Sequence, residues 1–198
     1  MNELTSNQPL TVAVTGAGGL IGRSLILALA EQGHAVKRLV RGQAKAADEI
    51  AWSPTEGQID AAALEGVDAV VHLAGEPIQG RWTASKKQRL RDSRLKGTDL
   101  LARTLADLSD RPAVLISASA IGYYGNRGDE LLDETSEPGS GFLAKLAVEW
   151  EQAADPAREA GIRVVHPRFG VVLSPEGGAL KAMLPTFRAG LGGPLGGG

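Results

Sequence analysis

The chain has 198 residues, 43% of them hydrophobic and 22% charged, a composition that matches an ordinary globular domain with one substantial core. Its formal net charge of -2 gives no electrostatic reason for a nucleic acid or an anionic membrane as partner, and the absence of cysteine excludes disulfides and thiolate metal sites. Met1 to Leu10 is polar and lacks the apolar segment of a secretion signal, and no apolar run of about 18 residues occurs, so a cytoplasmic protein is expected.

Leu10 to Val14 is a short β-branched run bounded by glycine. Leu20 to Gln32 then places Ile21, Leu25, Ala28 and Leu29 at helical spacing before Gly33, which reads as strand, turn, helix and stop. Ala35 to Val40 is predicted as a second strand, Glu49 to Trp52 as a weak third, and Val67 to Leu73 as a fourth, apolar enough to be buried on both faces. A long polar helix is predicted over about Thr83 to Leu108, with Leu90, Leu95, Leu101, Leu105 and Leu108 available for packing. Pro112 marks the start of a fifth strand, Ala113 to Ser117. Gly141 to Ala160 reads as one helix ended by Gly161, followed by a sixth strand, Ile162 to Val165. Six strands alternating with helices imply an α/β fold: a doubly wound parallel Rossmann sheet of order 3-2-1-4-5-6. Beyond Gly170 the pattern fades into one short helix, about Ala179 to Ala189, and a glycine tail from Gly190 to Gly198.

Gly16, Gly19 and Gly22 form a G-x-x-G-x-x-G array between the first strand and the first helix. The first glycine permits the tight exit from the strand, the second lets backbone approach a pyrophosphate, and the third lets the helix pack close to the sheet. The helix N-terminus then offers unpaired N–H groups and a partial positive charge to phosphate. The same array could be a tight turn without a ligand, but a good strand before it and a good helix after it favour a dinucleotide. At the end of the second strand, where an acidic residue would accept hydrogen bonds from a ribose 2′-OH, the sequence has Val40-Arg41. Arg41 can make a forked contact to a 2′-phosphate, which favours NADP(H); its alternative role is a solvated loop arginine.

The glycine array, His72-Leu73-Ala74-Gly75 and Ser117-Ala118-Ser119-Ala120-Ile121-Gly122-Tyr123-Tyr124-Gly125 together resemble the extended short-chain dehydrogenase/reductase superfamily. More narrowly, Leu73-Ala74-Gly75-Glu76, Ser93-Arg94, Gly122-Tyr123-Tyr124-Gly125, Trp150-Glu151, Arg168-Phe169-Gly170-Val171-Val172-Leu173 and Gly192-Gly193-Pro194-Leu195-Gly196 resemble its atypical branch of NAD-dependent epimerase/dehydratase-like proteins. The resemblance implies a Rossmann fold with NADP(H) touching Gly19, Leu20, Ile21, Val40, Arg41, Leu73, Ala74, Arg94 and Val172. The small residues of Leu73-Ala74-Gly75, at the end of the fourth strand, leave room where the ribose and pyrophosphate must pass. Arg94 belongs to a basic stretch, Arg81 to Lys96, most of which reads as a solvated helix face, and only the resemblance singles it out. It also implies a domain organisation: an NADP(H)-binding domain over residues 1–175, and over 176–198 the start of a substrate-binding lobe. Extended members run to about 300 residues, so the chain is expected to be truncated, with the C-terminal substrate lobe largely missing.

Reductases and epimerases of this superfamily use a Tyr-x-x-x-Lys pair and a serine that orients the substrate oxygen. Here Lys145 is preceded four positions earlier by Gly141, so the tyrosine is absent. Ser119 stands at the position of the orienting serine, and Tyr123 or Tyr124 could supply a replacement acid or pack under its loop. His34, His72 and His166 have no ligand-like spacing, so no metal site is expected. Asp129, Glu130, Asp133, Glu134 and Glu137 read as a solvated acidic loop, and Trp52, Trp82 and Trp150 as packing residues. The expected function is an NADP(H)-dependent oxidoreductase or epimerase acting on a small carbonyl or nucleotide-sugar-like molecule. The alternative is an NADP(H)-binding regulatory or scaffold module. A homodimer paired through the two long helices would follow the superfamily's habit.

Overall fold

In the computed structural model, which describes residues 8–193, the alternating apolar runs form strands and the segments with 3.6-residue spacing form helices. β1 (Thr11–Thr15) leads through the glycine turn into α1 (Leu20–Glu31), which returns the chain to β2 (Ala35–Arg41) and β3 (Glu49–Ser53). The hairpin strand β4 (Gln58–Ile59) follows, then β5 (Ala69–His72), α2 (Ala84–Asp107), β6 (Val114–Ser117) and the short β7 (Ser119–Ala120). α3 (Phe142–Gln152), α4 (Asp155–Glu159), β8 (Arg163–Val165), β9 (Arg168–Phe169) and α5 (Gly178–Arg188) complete the chain.

The main sheet has the order β4-β3-β2-β1-β5-β6-β8, parallel throughout except for β4. The six expected strands are therefore present in their expected doubly wound order. β4 and the second, two-stranded sheet of β7 and β9 were not predicted. Two-residue strands carry no periodicity, so only tertiary pairing reveals them. The single helix expected over Gly141 to Ala160 is instead two, α3 and α4. Pro156 has no N–H to give the Gln152 carbonyl four residues back and its ring crowds that carbonyl; in the first turn of α4 neither defect matters.

β1 separates the two apolar layers. Ala13 faces the larger one with Leu39, Ile50, Trp52, Val70 and Leu115, covered by Leu101, Ala102 and Leu105 of α2 and by Ala154 and Ala157 beside and on α4. Val12 and Val14 face the other side with Val71, where Leu25 and Leu29 of α1 pack. Each fully buried leucine or valine contributes about 1.5–3 kcal/mol relative to an exposed one. α5 by contrast buries no residue. No described helix is long and apolar enough to cross a membrane. The polar start of the chain, residues 1–7, and the end of its glycine tail with Pro194-Leu195-Gly196, lie outside the described residues.

Candidate functional site

The glycine turn stands at the carboxyl end of β1, against the wall that leaves β5. Gly16 adopts φ 69°, and a Cβ there would lie 2.8 Å from the Leu73 carbonyl carbon. A Cβ on Gly22 would collide with the Gly16 carbonyl oxygen, so this glycine sets how closely α1 approaches the turn. The turn is closed by Gly19 N–H donating to Gly16 O at 2.9 Å. Gly19 caps α1 without a side chain, and no acidic residue occupies the first turn. The first N–H groups of a twelve-residue helix are thus left to whatever occupies the space in front of them.

That space is an open groove of about 1270 Å³ across the carboxyl ends of β1, β2, β3 and β5. Of the expected cofactor residues, Gly16, Gly19, Val40, Arg41, Leu73, Ala74 and Gly75 line it. Leu20, Ile21, Gly22, Arg94 and Val172 are not among its lining residues: Gly22 is buried under the turn, and Val172 lies on an exposed segment. Sequence reading missed Arg23, Arg38, Trp52, Ser53 and Thr55, which line the groove through the pairing of β2 with β3 and through the first turns of α1. The Arg38 guanidinium is held by Asp48, Nε to Oδ2 at 2.7 Å, and by Glu49 at 3.2 Å. The hydrogen bond to Arg38 keeps the Asp48 carboxyl below its ordinary value. Arg41, at the rim, is exposed and has no carboxylate partner among the described residues.

Arg94 lies behind the wall. Its Nη1 donates to the Leu90 carbonyl at 3.1 Å and the Glu76 carbonyl at 3.2 Å, and its guanidinium stacks 4.9 Å from the Trp150 ring centre. A Cβ on Gly75 would lie 3.6 Å from the same guanidinium, which places Arg94 directly under the Gly75 end of the groove. Burial lowers its pKa from the ordinary arginine value. The rest of the basic stretch is partly neutralised: Lys86 pairs with Glu76, Arg91 with Glu149 and Lys96 with Asp92.

Under the wall runs a buried polar chain. Thr15 Oγ1 accepts from Leu73 N at 3.0 Å and Ala74 N at 3.1 Å, and lies 2.7 Å from His72 Nδ1. His72 Nε2 lies 3.0 Å from Thr98 Oγ1, which also accepts from Trp150 Nε1 at 3.0 Å. Complete burial pushes the His72 pKa down to about 4, so the imidazole is neutral at pH 7. Ser117, opposite His72 in the β5–β6 register, has a buried hydroxyl without a partner among the described residues.

Of the expected catalytic residues, Ser119 and Tyr123 meet at one ion pair, Glu151–Arg168, and Lys145 does not join them. Ser119, buried, donates to Glu151 Oε1 at 2.6 Å. Arg168 holds both Glu151 oxygens, at 2.9 and 3.0 Å, donates to the Tyr124 hydroxyl at 2.8 Å, and lies 3.5 Å over the Tyr123 ring. Burial opposes ionisation of Glu151, but Arg168 and Ser119 outweigh it and hold the carboxyl below its ordinary value; the same bond to Glu151 raises the Arg168 pKa. His166 donates through Nδ1 to the Ser117 carbonyl, and burial lowers its pKa. Lys145 is exposed on α3 and makes no side-chain hydrogen bond or ion pair among the described residues. Gly141 is the residue before α3, at φ 95° and ψ -179°, a backbone geometry reserved for glycine. Glu151 and Arg168 are the functional candidates that sequence reading gave no role. Both stand in motifs that carried the resemblance, but their pairing across separate elements leaves no trace in spacing.

The model of the NAD dependent epimerase/dehydratase family matches residues 12–192. An epimerase family protein of Mycobacterium bovis is 50% identical over 188 residues, covering 94% of this chain and 62% of its own length. Among solved structures, a nucleoside-diphosphate sugar epimerase of Corynebacterium glutamicum is 41% identical with a TM-score of 0.83, over 96% of this chain and 40% of that one. A human epimerase family protein solved with NADPH is 34% identical with a TM-score of 0.81, over 96% of this chain and 63% of that one. The chain thus spans less than two thirds of the length of these relatives. With a matching family model across nearly its whole length, a doubly wound sheet and a glycine turn opening on the groove, the chain belongs to the NAD dependent epimerase/dehydratase family.

Proposed function

We propose that the chain holds NADP(H) in this groove and serves an oxidoreductase or epimerase acting on a small carbonyl or nucleotide-sugar-like substrate. The observation that carries the reading is the N-terminus of α1, without a side-chain cap and aimed into a groove whose far rim bears Arg41, which has no carboxylate partner among the described residues. Helix N–H groups suit a pyrophosphate and a forked guanidinium suits a 2′-phosphate. NADPH in the human relative's structure agrees with that choice. The bound nicotinamide would supply hydride chemistry at its ring. This chain's own residues would bind the phosphates, shape the groove and move the substrate proton.

Among the expected catalytic groups, the Ser119 proton is already given to Glu151 and Lys145 faces solvent. Tyr123, whose hydroxyl has no partner among the described residues and whose ring lies under the Arg168 guanidinium, lines a small pocket with Glu151 and His166 that is separate from the groove, and is the group we assign to proton transfer. Equilibrium titration with NADPH and NADH tests the cofactor. Arg41→Ala is expected to weaken NADPH by about 10- to 100-fold, the worth of a charge-assisted contact, and NADH by less than about threefold. Equal losses would overturn the 2′-phosphate assignment. A screen of carbonyl compounds and nucleotide sugars, followed by NADPH absorbance, tests the activity. Turnover unaffected by Tyr123→Phe would remove Tyr123 from the mechanism, and tight NADPH binding without turnover on any substrate would favour a binding module.

A further inference from the structure

The placement of protons in the polar chain beneath the groove is decided at Thr15, whose hydroxyl oxygen has no lone pair to spare. Thr15 Oγ1 receives two backbone N–H donors, from Leu73 and Ala74, which occupy both of its lone pairs. Its own proton therefore goes to His72 Nδ1, 2.7 Å away. That makes Nδ1 an acceptor and places the imidazole proton on Nε2, which donates to Thr98 Oγ1. Thr98 Oγ1 also receives the Trp150 indole N–H, and indole nitrogen can only donate. The opposite tautomer would point a ring N–H at an oxygen with no free lone pair and leave the Thr15 proton without an acceptor.

The direction of this chain ties two helices to one wall. Thr98 is on α2, Trp150 is on α3, and the Leu73–Ala74 amides are the groove wall that a Cβ on Gly16 would touch. Trp150 directly precedes Glu151, which holds Ser119 and Arg168. The described groups against His72 carry no charge: Thr15, Thr98, the Trp52 ring in a T-shaped pair and the bare Cα of Gly97. Complete burial disfavours an imidazolium, and no charged partner of His72 occurs among the described residues.

We propose that His72, as the neutral Nε2–H tautomer, is a positioning residue that sets the Thr15 hydroxyl and so holds the Leu73–Ala74 wall of the dinucleotide groove in register with α2 and α3. The consequence for cofactor affinity rests on the function proposed above; the tautomer and the wall do not.

Side-chain variants divide the two ends of the imidazole. Asparagine can place an oxygen near the Nδ1 position and keep the acceptor for Thr15, whereas leucine keeps volume and removes both contacts. ¹⁵N spectra of the imidazole are expected to show Nε2 protonated and Nδ1 bare at pH 7. Amide exchange at Leu73 and Ala74 is expected to stay within about threefold of the parent in His72→Asn and to quicken by at least about tenfold in His72→Leu. Thr98→Val, which keeps shape and removes the acceptor of Nε2–H, should quicken exchange at both amides and serves if His72→Leu does not fold. NADPH affinity is expected to follow the same order, with His72→Asn close to the parent and His72→Leu at least about tenfold weaker. A protonated Nδ1, or equal exchange at these amides in His72→Asn and His72→Leu, would overturn the proposal. A parent protein that binds no NADPH would overturn the proposed function, while the spectra and exchange rates would still decide the role of His72.

Discussion

Gly141 shows how one residue can carry two meanings. In the sequence it is the missing tyrosine of Tyr-x-x-x-Lys; in the structure it is a glycine whose φ of 95° lets the chain turn into α3. A Cβ at this position would meet nothing within 4 Å, so the cost of replacing it comes from backbone strain alone. Gly141→Ala is expected to lower stability by about 1–3 kcal/mol in urea unfolding. Gly141→Tyr should carry the same penalty and leave any turnover unrestored, since the residue stands before the helix that bears Lys145. If Gly141→Ala is as stable as the parent, the strained geometry is not populated. Arg41 and Tyr123 were readable as candidates because their residue types suit phosphate and proton transfer. The commitment of Ser119 to Glu151 was not readable, because 32 residues separate the partners and no pattern joins them.

At the scale of elements, the Glu151–Arg168 pair fastens α3 to the small sheet of β7 and β9. Both side chains are largely buried, at 14% and 16% exposure, so removing one leaves the other charge in a poorly solvated place. Glu151→Ala is expected to cost about 3 kcal/mol, with Glu151→Gln milder because it keeps an acceptor for Ser119. A double-mutant cycle with Arg168→Met checks this through its coupling energy, and a coupling near zero would show that the pair does not hold these elements together. The six strands of the parallel order and the helices α1, α2 and α5 were legible in the sequence, and α2 runs as expected between Thr83, whose hydroxyl caps it, and Leu108. The break between α3 and α4 was also written in the sequence, at Pro156, but the continuous apolar spacing around it masked the signal.

Across the whole molecule, acid stability should bear the mark of His72. Its folded pKa of about 4 lies below the unfolded value of 6.5, so the unfolded chain binds the extra proton first. The stabilising contribution is therefore complete above pH 6.5 and is lost as pH falls towards 4, by about 3 kcal/mol. Glu151, with its pKa lowered, adds a loss in the same direction at lower pH. Urea unfolding midpoints measured from pH 7 to pH 4 are expected to fall more steeply in the parent than in His72→Asn. Parallel curves would show that another group governs this range.

The sequence by itself determined the doubly wound sheet, its strand order and the glycine turn, because these depend on local spacing and on residues whose backbone freedom is intrinsic to their type. It also carried the family resemblance, which rests on the order of short motifs along the chain. Only the tertiary structure decided which side chains meet: that Arg38 is neutralised by Asp48 while Arg41 has no carboxylate partner among the described residues, that Ser119 serves Glu151, and that His72 links Thr15 to Thr98. Such contacts are set by the packing of strands and helices distant in sequence, and a proton's place on an imidazole depends on every lone pair around it.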